Sequence, residues 1–521
     1  MTSSEVPQEF AVVNPAGGEE VARYPLMGKD EVDRAVLKAR ELSRVWGGSG
    51  FAERKRIFLA AAALLAENAE RYAGTVASET GKTVMDAVMA DVFPSADLLR
   101  FYGRRAKKFL KPSRAEGSIF LPGRKSYYLF EPKGVVGVVS PWNYPLTLSA
   151  GPAISALAAG NAVVLKPSSQ TTGSGLIVKE VLERAGLPRD TLQVVTGNGS
   201  LTGRALVEHP GLDMIVFTGS TPVGREVNIN AASRLIPTIM ELGGKDVSIV
   251  TRSADLDRAA HGIAWGAFTN SGQTCIGVEV ALVDRAVFDR FLEKLTAVTG
   301  SLKSGAKAGE VGSMTMASQL EVVEDQVEDA LQKGARILTG GRRDPARPGL
   351  FYPPTILVDT TPEMKVRSEE TFGPLLPVVP YDTLEEALEL ANRTPYGLSG
   401  SVFTGDLAEG RRVARGLDSG SVNINDLLIT YANPALPFGG NKESGVGRYH
   451  GEMGLRAFTN IKSITEFSGR WKKEPYWYPL PRGFERAALA ALPAFFSRHP
   501  GRRLAGAVKA LAELVRARRK G

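Results

Sequence analysis

Apolar residues recur along this chain in two alternating rhythms. Short unbroken runs that suit strands buried on both faces alternate with longer stretches carrying the 3.6-residue period of helices. Val135-Val136-Gly137-Val138-Val139, Asn161-Ala162-Val163-Val164-Leu165 and Met214-Ile215-Val216-Phe217 read as parallel strands, with Val247-Ser248-Ile249-Val250 as another. An alanine-rich helix separates the first two. Ahead of them, an extended Phe10 to Pro15 segment gives way to helical patterns such as Ile57 to Leu65. Between Ser113 and Pro132 the rhythm changes: Ile119-Phe120-Leu121, a Pro122-Gly123 turn and Ser126 to Phe130 predict a β-hairpin, an excursion that often carries subunit contacts. Helices and strands then alternate as far as Val422-Asn423-Ile424-Asn425. The order predicts an α/β protein.

At 521 residues the chain is too long for one core, so two or three domains are expected. One cysteine excludes internal disulfides and suits a reducing cytoplasm. His209, His261, His450 and His499 have no ligand spacing, so no metal is expected. The N-terminus lacks a basic region followed by an apolar run, and no uncharged apolar stretch reaches about 18 residues, so neither signal peptide nor spanning helix is expected. The net charge of +8 raises nucleic-acid binding until it is divided along the chain. From Ser468 onward 13 Lys/Arg face 3 Asp/Glu, a net +10, which leaves −2 for the rest. Basicity belongs to the tail, whose aromatic and basic residues form no nucleic-acid module.

The chemistry centres on Asn270-Ser271-Gly272-Gln273-Thr274-Cys275, which presents the lone thiol from a small polar turn. A lone cysteine is ordinarily a small buried hydrophobe. Gly272 and Gln273, however, are poor core-fillers, and a backbone N–H at the turn is placed to face an oxyanion. The free thiol is only a few per cent ionised near neutrality, so a neighbour must activate it. Glu241, among apolar residues and glycines in Ile239-Met240-Glu241-Leu242-Gly243-Gly244, is the candidate general base, since burial raises a carboxyl towards neutrality. Three strand ends form a candidate dinucleotide crevice: Pro141-Trp142-Asn143-Tyr144-Pro145, Lys166-Pro167-Ser168-Ser169, and Thr218-Gly219-Ser220-Thr221-Pro222-Val223-Gly224. In the last, glycine, a hydroxyl cap and an early proline aim backbone N–H groups at an anion.

Pro-Trp-Asn-Tyr-Pro at 141, Phe-Thr-Gly-Ser at 217, Glu-Leu-Gly-Gly-Lys at 241, Gly-Gln-Thr-Cys at 272 and Glu-Thr-Phe-Gly-Pro at 370 occur in the order and approximate spacing of the aldehyde dehydrogenase superfamily. The chain resembles that family over residues 10 to 467. The resemblance implies a Rossmann-like dinucleotide-binding domain (1–112 and 134–243), an α/β catalytic domain (244–458), a small β bridging or oligomerisation element (113–133 and 459–467) and a basic amphipathic tail (468–521). It implies Cys275 as nucleophile, Glu241 as the base for the deacylating water, and Asn143 with the Cys275 N–H as oxyanion hole. Lys166 matches the adenosine-ribose ligand, Gly219 to Gly224 with Ser220 the pyrophosphate turn, and Glu370 the nicotinamide-ribose ligand. Phe372 matches a residue positioning the nicotinamide, and Trp142, Ser168, Ser169 and Leu242 complete the expected cofactor contacts. The expected partner is an aldehyde and the expected assembly a homodimer or dimer of dimers.

Relatives that pass the acyl group to coenzyme A typically lack the glutamate at 241, so water is the expected acceptor. Enzymes selective for NAD often carry a glutamate where this chain has Ser169, so NAD or NADP is expected, with NADP accepted and the preference between the two left open by a serine. Many members carry a lysine where this chain has Pro152 and a glutamate where it has Tyr449, as a proton relay. These departures, with Gly373 to Pro377, resemble the fatty- and aromatic-aldehyde branch. Succinic-semialdehyde enzymes commonly hold an arginine where this chain has Thr269. An apolar aldehyde is therefore expected, with a semialdehyde dehydrogenase and a non-catalytic protein on the same fold as alternatives. In the tail, Leu504, Val508, Leu511 and Val515 recur at helical spacing among Arg503, Lys509 and Arg516. That helix reads first as a subunit arm, second as a peripheral membrane contact and third as a solvated terminus.

Overall fold

The computed structural model describes residues 8–118, 123–307, 310–469, 472–474 and 476–519. The expected strand at 119–121 and Trp471 lie outside these. The chain forms two units, Met1–Pro112 with Leu129–Lys462, and Ser113–Tyr128 with Ser463–Gly521.

The larger unit opens with an antiparallel pair, Glu9–Val13 and Glu20–Pro25, and holds two sheets. The first takes β1 (Val135–Val139), β2 (Ala162–Lys166), β3 (Leu192–Val194), β4 (Met214–Thr218) and β5 (Thr238–Glu241). The second takes β6 (Val247–Val250), β7 (Val280–Asp284), β8 (Arg336–Thr339), β9 (Thr355–Val358), β10 (Leu375–Tyr381), β11 (Ser399–Phe403) and β12 (Ser421–Ile424). β13 (Gly445–Val446) returns to the first sheet, whose order is β13-β5-β4-β1-β2-β3. The second runs β8-β9-β10-β7-β6-β11-β12. Pairing is parallel except at the edge pairs β13–β5 and β8–β9. β1 and β2 are continuous Val/Leu runs because helices cover both faces of the sheet.

Helix α1 (Pro145–Ala159) is buried at every position, which explains its unbroken apolar sequence. Pro145 starts it, and Gly160 ends it with φ +96°, a conformation costly for any side chain. Its first turn is held by a buried ion pair. The Lys82 ammonium meets the Asp91 carboxylate at 2.8 Å, both side chains fully buried. Asp91 sits in a widened π-type turn, Val88–Val92, and its other oxygen accepts from the Leu146 and Thr147 N–H groups at 3.0 and 3.1 Å. Lys82 also donates to the Asn143 carbonyl at 2.7 Å and stands 4.2 Å from the Tyr144 ring centre. The pair thus fixes the turn between β1 and α1.

Ser113–Arg114 pairs antiparallel with the start of Lys125–Pro132, which neighbours Thr459–Glu466 in a three-stranded sheet. Two tail helices follow, α4 (Phe484–Phe496) and α5 (Pro500–Arg519), forming a hairpin. No helix among the described residues is long and apolar enough to cross a membrane.

Replacing Lys82 by methionine leaves Asp91 buried without its cation. Lys82→Met is expected to cost about 3 kcal/mol or more of unfolding free energy in denaturant titrations; a loss below about 1 kcal/mol would show that the pair is hydrated in solution.

Candidate active site

Helix α3 (Leu256–Phe268) ends in three successive left-handed residues, Asn270 (φ +52°), Ser271 (φ +55°) and Gly272 (φ +70°). Such backbone is costly for non-glycine residues and persists where surroundings fix it. Here they do. Ser271 Oγ donates to the Gly312 carbonyl at 2.5 Å, and a Cβ at position 272 would stand 2.1 Å from the Gly373 carbonyl oxygen. Gln273, expected to be a poor core-filler, is instead completely buried. Its amide is satisfied at both ends: Nε2 donates to Asn270 O at 2.9 Å, and Oε1 accepts from Thr315 N at 2.9 Å.

The turn delivers Cys275 partly exposed to a cavity. Burial pushes its thiol well above the usual value, with the carboxyls of Glu370, Asp246 and Glu241 adding to the rise and a hydrogen bond from the Ile276 N–H opposing it. Among the described residues, the groups that act on the thiol include three carboxyls and no cation. Asn143 Nδ2 donates to the Gln273 carbonyl at 3.0 Å, which brings that amide against the turn two residues before the thiol. Asn270 Nδ2 bridges the Asn143 and Gln273 carbonyls at 3.0 and 3.1 Å.

Glu241 lies at the carboxyl end of β5, buried, opposite Gly445 of β13. Both its carboxyl oxygens lack a hydrogen-bond partner among the described residues. Burial drives the carboxyl far above the usual range, partly offset by Arg448. A Cβ at Gly439 would come 2.8 Å from Glu241 Oε1, so only glycine leaves that space open. An unpaired buried carboxyl costs stability, and such groups concentrate where chemistry needs them.

The expected cofactor contacts lie at or just after the ends of β1, β2, β4 and β5, except Glu370 and Phe372, which precede β10. Lys166 closes β2, buried, and burial alone pushes its ammonium down to about 8. Ser168 Oγ accepts from the Gln170 N–H at 3.3 Å, and Ser169 beside it is half-buried. Gly219 N–H donates to the Glu241 carbonyl at 3.0 Å and leads into α2 (Thr221–Ser233). Ser220 holds the cap position, yet its side chain makes no capping bond, which leaves the first-turn amides for an anion. A Cβ at Gly224 would strike Leu242 Cδ2 at 2.2 Å, so glycine lets Leu242 pack against α2. Glu370 Oε1 accepts from Gly244 N–H at 2.9 Å, and its carboxyl is pushed up to about 8, by burial first and Glu279 next. The Phe372 ring meets the Trp142 ring edge-on at 5.5 Å. These groups, a buried amine, free helix amides and glycine-only approaches, fit NAD or NADP.

Residues that the sequence reading passed over complete the site. Lys245 pairs with Glu279 at 2.7 Å, and Glu279 accepts from the Thr371 and Phe372 N–H groups at 3.1 Å, which fixes the Glu370–Phe372 corner. The cavity of about 390 Å³ that Cys275 and Glu241 share is walled by Met85, Met89, Trp265, Ile429, Tyr431 and Phe438, with Asp86 the other carboxylate besides Glu241. Thr269 lines it as well. Where the family relay would stand, Pro152 is buried inside α1, and Tyr449 lies edge-on to His450 with centroids 4.6 Å apart. Burial pushes His450 down to about 3, and neither Pro152 nor the Tyr449 phenol supplies the lysine and glutamate charges of that relay.

Comparison with known proteins agrees with this geometry. The model of the aldehyde dehydrogenase family matches residues 1–464. A Mycolicibacterium smegmatis protein bearing the name of an NADP(+) succinate-semialdehyde dehydrogenase is 40% identical over 452 residues, 86% of each chain. A Methylomonas protein named 4,4'-diapolycopene aldehyde oxidase is 38% identical over 472 residues, 90% of this chain and 88% of its own. The NAD+ complex of an aldehyde dehydrogenase from Bacillus cereus superposes with a TM-score of 0.85 at 33% identity, covering 88% of this chain and 93% of that one. With the family match running through both sheets and across every strand end just described, the chain belongs to the aldehyde dehydrogenase family.

Proposed function

We propose that this NAD(P)-dependent enzyme oxidises apolar aldehydes, aliphatic or aromatic, to carboxylic acids. One observation carries the choice of substrate. Among the described residues the cavity leading to Cys275 is lined by no Lys, Arg or His, while Met, Leu, Ile, Trp, Tyr and Phe side chains form its walls. A volume of about 390 Å³ is within the range that holds a drug-sized ligand. A substrate with a distal carboxylate would meet Asp86 and find no cation to pair with. The succinate-semialdehyde name of one relative is the second reading, and the diapolycopene aldehyde name of another favours the first.

In this reading the Cys275 thiol gives up its proton to the Glu241 carboxylate as its sulfur bonds to the aldehyde carbon. The oxygen, now an alkoxide, is met by the Asn143 amide and the Cys275 N–H. Bound NAD(P) supplies the acceptor for the hydride that this carbon then loses. The acyl group left on sulfur is a thioester. Glu241 releases its first proton to solvent and takes one from water, whose oxygen bonds to the acyl carbon as the carbon–sulfur bond breaks, and the Glu241 proton returns to the Cys275 sulfur as the acid leaves. Lys166, Ser168, Ser169, the Gly219–Gly224 turn with Ser220, Leu242, Glu370, Phe372 and Trp142 hold the cofactor. Ser169 leaves room and no negative charge beside Lys166, so NADP is accepted. The protein works in the cytoplasm as a homodimer or dimer of dimers, with its tail at the membrane surface.

Initial rates with a panel running from acetaldehyde to decanal, with benzaldehyde and succinic semialdehyde, are expected to give the highest kcat/KM for the longer or aromatic aldehydes and none for Cys275→Ala. A higher kcat/KM for succinic semialdehyde than for octanal would overturn the substrate reading. Ser169→Glu is expected to lower kcat/KM for NADP by about tenfold or more and to spare NAD. Glu241→Gln is expected to cut steady-state turnover by about a hundredfold, as loss of a general base does. Its effect on stability has a definite sign. A carboxyl raised by burial supports the fold fully below its unfolded-state value and loses that support as pH rises through the folded value. Thermal melts should therefore show Glu241→Gln overtaking the wild type towards alkaline pH, and parallel pH profiles would refute the burial of this charge.

A further inference from the structure

The tail hairpin is packed inside out. Helix α4 turns Ala487 and Ala490 inward, and α5 turns Gly506 and Ala510 inward. The approach is close enough that a Cβ at Gly506 would come 2.7 Å from the Ala494 nitrogen and 3.0 Å from the Ala490 carbonyl oxygen. The large aliphatic side chains lie on the opposite sides. On α5, Leu504, Val508, Leu511 and Val515 are 69%, 61%, 64% and 45% exposed. At about 100° per residue these four fall within one narrow stripe, roughly opposite Gly506, Ala510 and Glu513. Arg503 lies about 110° to one side of the stripe, with Lys509 and Arg516 about 110–130° to the other. Glu513, the acid of this helix, is turned inward and paired with Arg486 and Arg516 at 3.2 and 3.0 Å, so the apolar stripe carries no negative charge on its face.

We propose that α5 docks on an anionic lipid bilayer, with Leu504, Val508, Leu511 and Val515 in the boundary between headgroups and acyl chains and the flanking cations on the lipid phosphates. Two features select this occupant. The segment from Ser468 carries a net +10 while the rest of the chain carries −2, so a second copy of the catalytic body offers this helix little complementary charge, whereas an anionic bilayer offers a dense sheet of it. An aliphatic stripe with long basic side chains to both sides of it, Arg503 resting on the Ala494 and Phe495 carbonyls at 3.4 Å and Arg516 on Glu513, is the arrangement of a helix lying in the interface plane with its cations at headgroup level. α5 is unable to cross. The inference rests on the peripheral placement proposed above and not on the choice of aldehyde.

The test is flotation of the full-length protein with phosphatidylcholine vesicles, with and without phosphatidylglycerol, beside Leu504→Asp/Leu511→Asp. Both positions are more than half exposed, so the fold tolerates the change. The wild type is expected to float with the anionic vesicles alone and to be released by salt, and the double variant to partition at least about tenfold more weakly. Light scattering should give both proteins the same mass, and octanal turnover in buffer should be equal. Wild-type protein that stays with the soluble fraction, or a variant that floats equally well, overturns the proposal. A variant of lower mass overturns it in favour of a contact between copies of the chain. Failure of octanal turnover with flotation intact would strike the aldehyde reading alone.

Discussion

Two carbonyl oxygens tie the site together. The Asn143 carbonyl accepts from Lys82 and Asn270, and the Gln273 carbonyl accepts from Asn143 and Asn270. Three segments distant in sequence meet there: the break after Gly81, the turn between β1 and α1, and the turn before Cys275. Because every one of these groups is buried, a missing donor would leave a carbonyl or an ammonium unpaired at a cost of several kcal/mol. The turn before Cys275 holds three successive left-handed residues between this knot and the Gly373 backbone, which press on it from both sides. Local strain is thus sustained by long-range hydrogen bonds, and the thiol and the Asn143 amide keep their relation to each other as a consequence.

Around that knot the electrostatics are arranged against charge. Cys275, Glu241 and Glu370 are all driven towards their neutral forms, His450 likewise, and Lys166 is weakened as a cation. Removal of water accounts for most of each shift, and the mutual repulsion of the carboxyls adds to it. Such a site favours the protonated form of each acid, and burial raises the Glu241 carboxyl well above the range of an exposed carboxylate.

Much of this was legible in the chain. Parallel strands declared themselves as unbroken Val and Leu runs, and the residues at their carboxyl ends, Asn143, Lys166, Gly219 and Glu241, stood out because polar or glycine positions abruptly follow apolar ones. Other parts were not. Lys82 reads as one more surface lysine in Gly81-Lys82-Thr83, since nothing local reveals that Asp91, nine residues on, is buried beside it. Gln273 was misjudged for a related reason: a buried amide is inexpensive when both ends are paired, and the partner Thr315 is remote in sequence. Helical periodicity also placed Leu504 to Val515 on one face without saying which way that face points. Small residues at Ala487, Ala490, Gly506 and Ala510 hold the inner side, and only the structure shows them there.

The chain holds a single cysteine, and that thiol opens onto the apolar cavity. A sulfenic acid formed at Cys275 would find no second thiol in its own chain to resolve it as a disulfide. A thiol that reaches the sulfur through this cavity meets walls that include Met85, Met89 and Trp265. Walls this apolar disfavour a charged reductant such as a tripeptide thiol. Oxidative damage and its reversal are therefore governed by the shape and polarity of the cavity, and a resident aldehyde shields the sulfur from both.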